Sequence, residues 1–323
     1  SGSATAAAAA IGGTLNPIQK ADGYEPRFSA AVNISSCVTG LLIPPSNALI
    51  VYSLSAGGIS IAALFLAGYL PGMLMGLAIM GVVAVVAYRN KEKYPVSPRP
   101  TLREAVFAFL DALPSLFLII LVIGGIAVGA FTATEASAIA VVYTFVLSVV
   151  IYRSITLSQL PGLILQSVVM TSVVLFLVGM SVGMSWAMTN ADIPFVVSET
   201  LLKVSDSPAI IMLIITFILF IVGMFMDLTP AVLIFTPIFL PIAKQLGIDP
   251  IHFGIILVFN LCIGLCTPPV GTALFVGCSV ADVKIQDVLK PLLWLYAAQI
   301  VSLLLVIFVP EISLAVPHFF GMR

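Results

Sequence analysis

The chain has 323 residues, of which 61% are hydrophobic and 8% charged, with a formal net charge of −1 and a mean hydropathy of +1.21. Soluble domains carry roughly 25% charged residues, so most of this surface is expected to face lipid. No basic stripe exists to neutralise phosphates, which excludes a nucleic-acid partner.

Taken in chain order, the first stretch is Ser1-Gly-Ser-Ala-Thr5, neither an initiator nor a signal peptide, because no charged leader precedes an apolar run. Residues 5–19 are apolar and end at the polar turn Lys20–Arg27. Fifteen helical residues reach only about 22 Å, short of a ~30 Å hydrocarbon core, so a re-entrant half-hairpin is expected. The run 28–56 is interrupted by Pro44-Pro45, and the run 60–88 contains Pro71 and spans with tilt. The loop Arg89–Arg103 holds five basic residues and is cytoplasmic by the positive-inside rule. Thr101-Leu-Arg-Glu104 has the form of a capping box, with Val106, Phe109, Leu110 and Leu113 at helical spacing after it. This predicts a short helix lying along the membrane surface.

Spans are expected at about 114–131, 136–152 and 161–189. A second capping box, Thr132-Ala-Thr-Glu135, closes the turn between the first two. Gly179, Ser181, Gly183 and Ser185 read as a close helix-packing face. Asn190–Asp206 then lies outside, and 208–225 is apolar up to a break at Met226-Asp-Leu-Thr-Pro230. Residues 231–243 run back, 252–282 carry a second interruption at Pro268-Pro269, and 288–313 form a final span. The cysteines (Cys37, Cys262, Cys266, Cys278) sit in apolar runs without zinc or redox spacing and read as small apolar residues. His252 falls at an outer membrane edge and His318 in the tail, neither with partners for a metal or a catalytic dyad.

The two interruptions are copies. Gly40-Leu-Leu-Ile-Pro-Pro45 overlays Gly264-Leu-Cys-Thr-Pro-Pro269 at an offset of 224 residues, and the match continues without a gap. Thr5 falls on Thr229, Pro17 on Pro241, Lys20 on Lys244, Gly23 on Gly247, Pro26 on Pro250 and Ile61 on Ile285. Such a self-match marks an internal structural repeat. Two crossings back from the basic loop put Lys20–Arg27 inside, and three forward put Lys244–Pro250 outside. The copies therefore have opposite orientations, as in inverted-repeat transporters. The fold class is all-α: a polytopic membrane protein with inverted-topology repeats, re-entrant helical hairpins and broken helices. Four regions follow: a first core repeat at 1–56, connecting and scaffold helices at 57–206, a second core repeat at 207–287, and a final span with its tail at 288–323. If the first repeat mirrors the second, a half-helix belongs upstream of residue 1, and the chain is expected to be a fragment of a longer protein.

A helix broken in hydrocarbon leaves N–H and C=O groups that each cost several kcal/mol unless paired. The prolines at 44–45 and 268–269 remove donors and free carbonyls of the preceding turn. A desolvated Na⁺ needs oxygen ligands of that kind; the bland alternative is a proline kink. Asp227 is the only carboxylate deep in the second half's apolar sequence. It fits an ion pathway, or a cap on the returning half-helix, in which Thr229 is the N-cap and Pro230 the first helical residue. Its counterpart is Ser3, whose hydroxyl caps or offers oxygen. An aspartyl hydrolase needs two carboxylates sharing a site, and a serine hydrolase needs a base in reach. The sequence provides neither, so the chain is read as not an enzyme. A mere scaffold has no need to open its helices in lipid.

The stretches Ser-Gly-Ser-Ala-Thr-Ala, Gly-Leu-Leu-Ile-Pro-Pro-Ser, Leu-Phe-Leu-Ala-Gly-Tyr-Leu-Pro-Gly, Thr-Ala-Thr-Glu-Ala, Gly-Met-Phe-Met-Asp-Leu-Thr-Pro and Gly-Leu-Cys-Thr-Pro-Pro-Val-Gly resemble the large membrane subunit of tripartite ATP-independent periplasmic (TRAP) transporters, in order and over essentially the whole chain. The resemblance implies an elevator-type secondary transporter of the bacterial inner membrane, driven by Na⁺ and not ATP. It also implies two partners, a periplasmic substrate-binding protein and a small four-helix membrane subunit. The implied substrates are organic anions: C4-dicarboxylates, sialic acid, sugar acids or keto acids. By motif, one Na⁺ belongs with Ser1, Ser3, Gly40, Ile43, Pro44 and Asn47. A second belongs with Asp227, Thr229, Gly264, Thr267, Pro268 and Thr272. The anion belongs between the tips, near Thr5, Ser46, Asn47 and Gly271. Asn47 departs from the Ser-Ile that many relatives carry, and is implied as a ligand or a substrate contact. The alternative is an inverted-repeat anion transporter, Na⁺- or H⁺-coupled, that works without a binding protein.

Overall fold

The computed structural model describes residues 2–91, 93–94, 101–205 and 207–322, and no strand occurs among them. Seven described helices are long and apolar enough to cross a membrane. The chain divides into two compact units, one made of residues 1–95 and 177–323, the other of 96–176.

The larger unit contains both copies of the repeat, and the helix boundaries follow the 224-residue offset. Helix α1 (Ala4–Ala21) has its counterpart in α11 (Leu228–Gln245), and α2 (Pro26–Cys37) in α12 (Pro250–Leu265). Likewise α3 (Asn47–Ser55) answers to α13 (Thr272–Ala281), and α4 (Ile61–Arg89) to α14 (Ile285–Phe308) with α15 (Glu311–Phe319). Shared local chemistry sets the shared ends. Gly23 and Gly247, at φ 80° and 75°, turn the chain after α1 and α11, and Pro26 and Pro250 then open the next helix, where a missing N–H costs nothing.

Helix α14 works as a ruler for orientation, since 24 residues reach about 36 Å. Near its start, Asp287 pairs with Arg27 at the beginning of α2, 3.8 Å apart, and Lys290 and Trp294 share a cavity with the end of α4. At its far end, Ile307 and Phe308 share a cavity with Asp249 and His252 at the beginning of α12. The counterparts α2 and α12 thus enter from opposite ends, and α4 and α14 run antiparallel. The repeats are inverted, as charge and span parity predicted. They also exchange partners: α1 lies against α13, and α11 against α3.

The core is the broken helix α12, buried over nearly its whole length. Tyr52 of α3 crosses to it, its hydroxyl donating to the Pro250 carbonyl at 2.6 Å. A Cβ on Gly254 would stand 2.3 Å from the Tyr52 ring, so the glycine makes room for this crossing. His252 is buried and its Nδ1 lies 2.6 Å from Ser313 Oγ. The hydroxyl belongs to α15, which folds back over the start of α12.

Helix α10 (Pro208–Phe225) leads into the break at Met226–Pro230, and α9 (Ile193–Val204) occupies the stretch read only as an outer segment. Helix α8 (Leu160–Asn190) leaves Gly179 and Gly183 with no described atom within 4 Å of an added Cβ. Small residues permit close approach without supplying a neighbour, so the packing-face expectation does not hold for these glycines within this chain. In the smaller unit, α5 (Leu102–Ile119) runs on through a π-helical turn, Ile120–Gly124, into the short α6 (Gly125–Ala127). The expected short surface helix followed by a separate span is therefore one helix. Pro114 is absorbed within it at the loss of one backbone bond. Both capping boxes form, at Thr101/Glu104 and at Thr132/Glu135, the second opening α7 (Ala133–Phe145).

Candidate functional site

The first tip begins at Ser3, the N-cap of α1. Its hydroxyl accepts from the Ala6 amide at 3.3 Å and lies 3.0 Å from Thr5 Oγ1. The alanine-rich start of α1 needs little more than this cap to begin a helix. Gly2 lies directly against the first break, where an added Cβ would stand 3.2 Å from Asn47 Cβ. Ser1 lies outside the described residues.

That break unwinds α2 through one 3-10 turn, Val38–Leu41, which holds the half-buried Gly40. The Ile43 amide donates back to Thr39 O at 3.2 Å, and the buried Pro44 forms a cis peptide with Pro45. Ser46 restarts the chain as N-cap of α3: its hydroxyl accepts from the Leu49 amide at 3.3 Å and donates to the Leu41 carbonyl. Ser46 is fully buried, whereas Asn47, the first residue of α3, is exposed beside Gly2.

The second tip differs from the expected capping pattern. Helix α11 starts at Leu228, so Asp227 and not Thr229 is the N-cap residue, and Pro230 is the third helical residue. The backbone of Asp227, at φ −70° and ψ 158°, already has the extended cap conformation, and its carbonyl accepts from Ala231 at 3.2 Å. Its carboxylate makes no capping bond. It accepts instead from Thr272 Oγ1 at 3.5 Å, at the first residue of α13. Thr229 is half-buried on the first turn of α11.

In the second break, Thr267 Oγ1 donates to Ile263 O at 2.8 Å, and Pro268-Pro269 is cis like its counterpart. The Val270 and Gly271 amides both donate to Met224 O, at 3.2 and 3.3 Å, which binds the break to the end of α10. Gly271 has φ +41°, and a Cβ there would stand 2.7 Å from Thr267 O, so only glycine fits. A Cβ on Gly264 would stand 2.5 Å from the Gly223 backbone, so these two glycines let α10 and α12 cross in contact.

The structure therefore gathers the predicted residues into two groups, each a hairpin tip beside the break of its own repeat: Gly2–Thr5 with Asn47, and Asp227 with Thr272. Sequence reading missed what holds the breaks in place. Gly68 and Gly72 of α4 admit Leu42 O and Ile43 against the helix, Met224 supplies its carbonyl, and Tyr296 Oη donates to Cys266 O. The repeat offset offered a signal, because Tyr296 is the counterpart of Gly72 and Cys266 that of Leu42.

Four half-helices, α1, α3, α11 and α13, begin at these tips and breaks, and each N-terminus carries unpaired amides and partial positive charge suited to an anion. Among the described residues no three His, Cys, Asp or Glu side chains come together. A cation here would be held by hydroxyl and carbonyl oxygens with at most Asp227 as carboxylate, a hard-oxygen donor set that fits an alkali ion.

Inverted repeats, each pairing a hairpin tip with a broken helix, belong to secondary transporters, and comparison with known proteins makes the assignment specific. Residues 1–312 match the tripartite ATP-independent periplasmic transporter, DctM component. The chain belongs to this family. It is 58% identical over 321 residues to the uncharacterised protein YgiK of Salmonella typhimurium, covering 99% of this chain and 73% of that protein. It is 38% identical over 322 residues to the C4-dicarboxylate TRAP transporter large permease DctM of Pseudomonas aeruginosa, covering 100% of this chain and 75% of that one. It is also 38% identical over 313 residues to the 2,3-diketo-L-gulonate TRAP transporter large permease YiaN of Escherichia coli K12, covering 97% and 73%. The permease is thus a multi-pass protein of the bacterial inner membrane and one part of a three-part uptake system, not an enzyme.

Proposed function

We propose that this permease moves an organic anion into the cell in symport with Na⁺. It takes the anion from a periplasmic binding protein and works beside a small four-helix membrane subunit. The observation that carries the reading is Asp227: a carboxylate at a helix N-cap position that forgoes the capping bond and turns to Thr272 across the break. A capping residue would bond the N2 or N3 amide. A carboxylate facing a hydroxyl and a broken helix is arranged as a cation ligand.

One Na⁺ would lie at the first pairing, with Ser3, Gly40, Ile43, Pro44 and Asn47 close by. The other would lie at the second, with Asp227, Thr229, Gly264, Thr267, Pro268 and Thr272. The anion would sit at the half-helix N-termini, near Thr5, Ser46, Asn47 and Gly271. Its charge offsets the N-terminal partial charges of the half-helices, while each Na⁺ binds a tip to its break, so the loaded core crosses with its charges matched. Relatives act on C4-dicarboxylates and on 2,3-diketo-L-gulonate, by their names, and a small carboxylate is the substrate class proposed for this chain. The inverted core would travel as a body against the remaining helices, which is an elevator cycle.

The test is uptake by the complete three-part system in proteoliposomes, using the anion that its binding protein retains in a ligand screen. Uptake should require an inward Na⁺ gradient. Equal uptake on a proton gradient with Na⁺ absent overturns the coupling, and full uptake without the binding protein overturns the delivery step.

A further inference from the structure

We propose that the cavity at the basic end of α4 holds an anionic phospholipid, its phosphate among the cations of α2, α4 and α14 and its first acyl carbons along α4. The cavity has a volume of about 780 Å³. One wall is apolar and belongs to a membrane-length helix: Gly81, Val82, Val85 and Val86 of α4, with Val85 54% exposed. The opposite rim carries four cations and two carboxylates. Two of the cations are already neutralised, Arg27 by Asp287 at 3.8 Å and Lys93 by Glu25 at 3.3 Å. Arg89 and Lys290 have no carboxylate within ion-pair distance among the described residues. Among the described residues the cavity therefore has an excess of two positive charges beside a strip of hydrocarbon.

Only an amphipathic anion satisfies both walls. A soluble organic anion would leave the valine strip against water, and a zwitterionic lipid would leave the charge excess unmet. Aromatic residues place the cavity at the membrane–water boundary. Tyr94 packs on Tyr24 and Phe28, with ring centroids 6.0 and 5.4 Å apart, and Trp294 stands 69% exposed at the rim. Such rings concentrate at headgroup level, and basic pockets between spans on the cytoplasmic side suit anionic headgroups. The basic loop that follows α4 assigns this end to the cytoplasmic leaflet. A lipid here would join α4 of the first repeat to α14 of the second, at the point where the two run antiparallel.

The experiment is lipid binding by the purified permease complex in nanodiscs of phosphatidylcholine titrated with phosphatidylglycerol, read by native mass spectrometry. The wild type should retain phosphatidylglycerol in preference to phosphatidylcholine. The Arg89→Gln/Lys290→Gln double variant should lose about thirtyfold in that preference, the sum expected for two surface cations. Arg153→Gln, an exposed cation elsewhere, should change nothing, and an unshifted melting temperature shows that the double variant is folded. Equal retention of both lipids by the wild type overturns the proposal, as does undiminished preference in the double variant. Displacement of the lipid by millimolar succinate would assign the cavity to a soluble anion instead.

Discussion

Thr272 donates to Asp227 across the second break, Oγ1 to Oδ1 at 3.5 Å. The contact joins the first residue of α13 to the N-cap residue of α11, and it is longer than the 2.7–2.8 Å usual between such oxygens. In the reading proposed above, a Na⁺ shared by the two oxygens would lie to one side of the line between them and replace this long contact.

The first prediction tests that reading. Asp227→Asn preserves shape and removes charge. Because the side chain is exposed and caps nothing, stability should change by no more than about 0.5 kcal/mol. The Na⁺ concentration needed for half-maximal uptake should rise at least tenfold, roughly 1.4 kcal/mol of lost ion binding. Unchanged Na⁺ dependence in a folded Asn variant would leave Asp227 as a bystander to coupling.

A second prediction concerns backbone contact. An alanine at position 264 would put its Cβ 2.5 Å from Gly223, against main chain that cannot rotate away. Gly264→Ala should destabilise by about 1–3 kcal/mol, as overpacked sites do, and should lower uptake by parting α10 from the second break. Gly179→Ala serves as the comparison, since its Cβ meets nothing. Equal thermal shifts for the two variants would refute the close crossing.

The same contrast shows what the sequence made legible. Repeat, inversion and breaks were readable because they are written in prolines, glycines and charge, which act locally or through counting. The pairing of each tip with its own break was reachable from the 224-residue offset together with the family resemblance. The seating of the breaks was not, because Tyr296, Met224 and Gly68 act through tertiary contact and have no local signature. Nor could pattern separate Asp227 from Thr229 as the N-cap, since Asp-Leu-Thr-Pro has an acceptable cap at either position. The strip at Gly179–Ser185 was half legible: Ser181 donates to Leu233 O of α11 at 2.7 Å, whereas Gly179 and Gly183 meet nothing among the described residues, because small residues permit packing but do not name a partner.

Tyr296 leads to a third prediction. Its hydroxyl donates to Cys266 O, a carbonyl that the second break takes out of its helix. Its counterpart Gly72 instead lets α4 close on the first break, so the two breaks are held by different means. Tyr296→Phe leaves a buried carbonyl without its donor, at about 1–3 kcal/mol. The melting temperature of the purified permease should fall, and added Na⁺ should restore part of the loss if that carbonyl belongs to the ion's surroundings. A Phe variant as stable as the wild type would show that water takes over the bond.

The inversion itself can be read from the two sides of the membrane. Lys20 and Lys244 are counterparts, both exposed and both in the last turn of their helices. The native cysteines supply a quiet background, with Cys37 and Cys262 at most 1% exposed, Cys266 at 0% and Cys278 at 3%. In sealed cells, a membrane-impermeant maleimide should therefore label Lys244→Cys and leave Lys20→Cys unlabelled. In inverted membrane vesicles the pattern should reverse, and the parent protein should remain unlabelled until it is unfolded in detergent. Labelling of both variants from one side would contradict the opposite entry of α2 and α12, and with it the pairing of tips and breaks on which the cation sites rest.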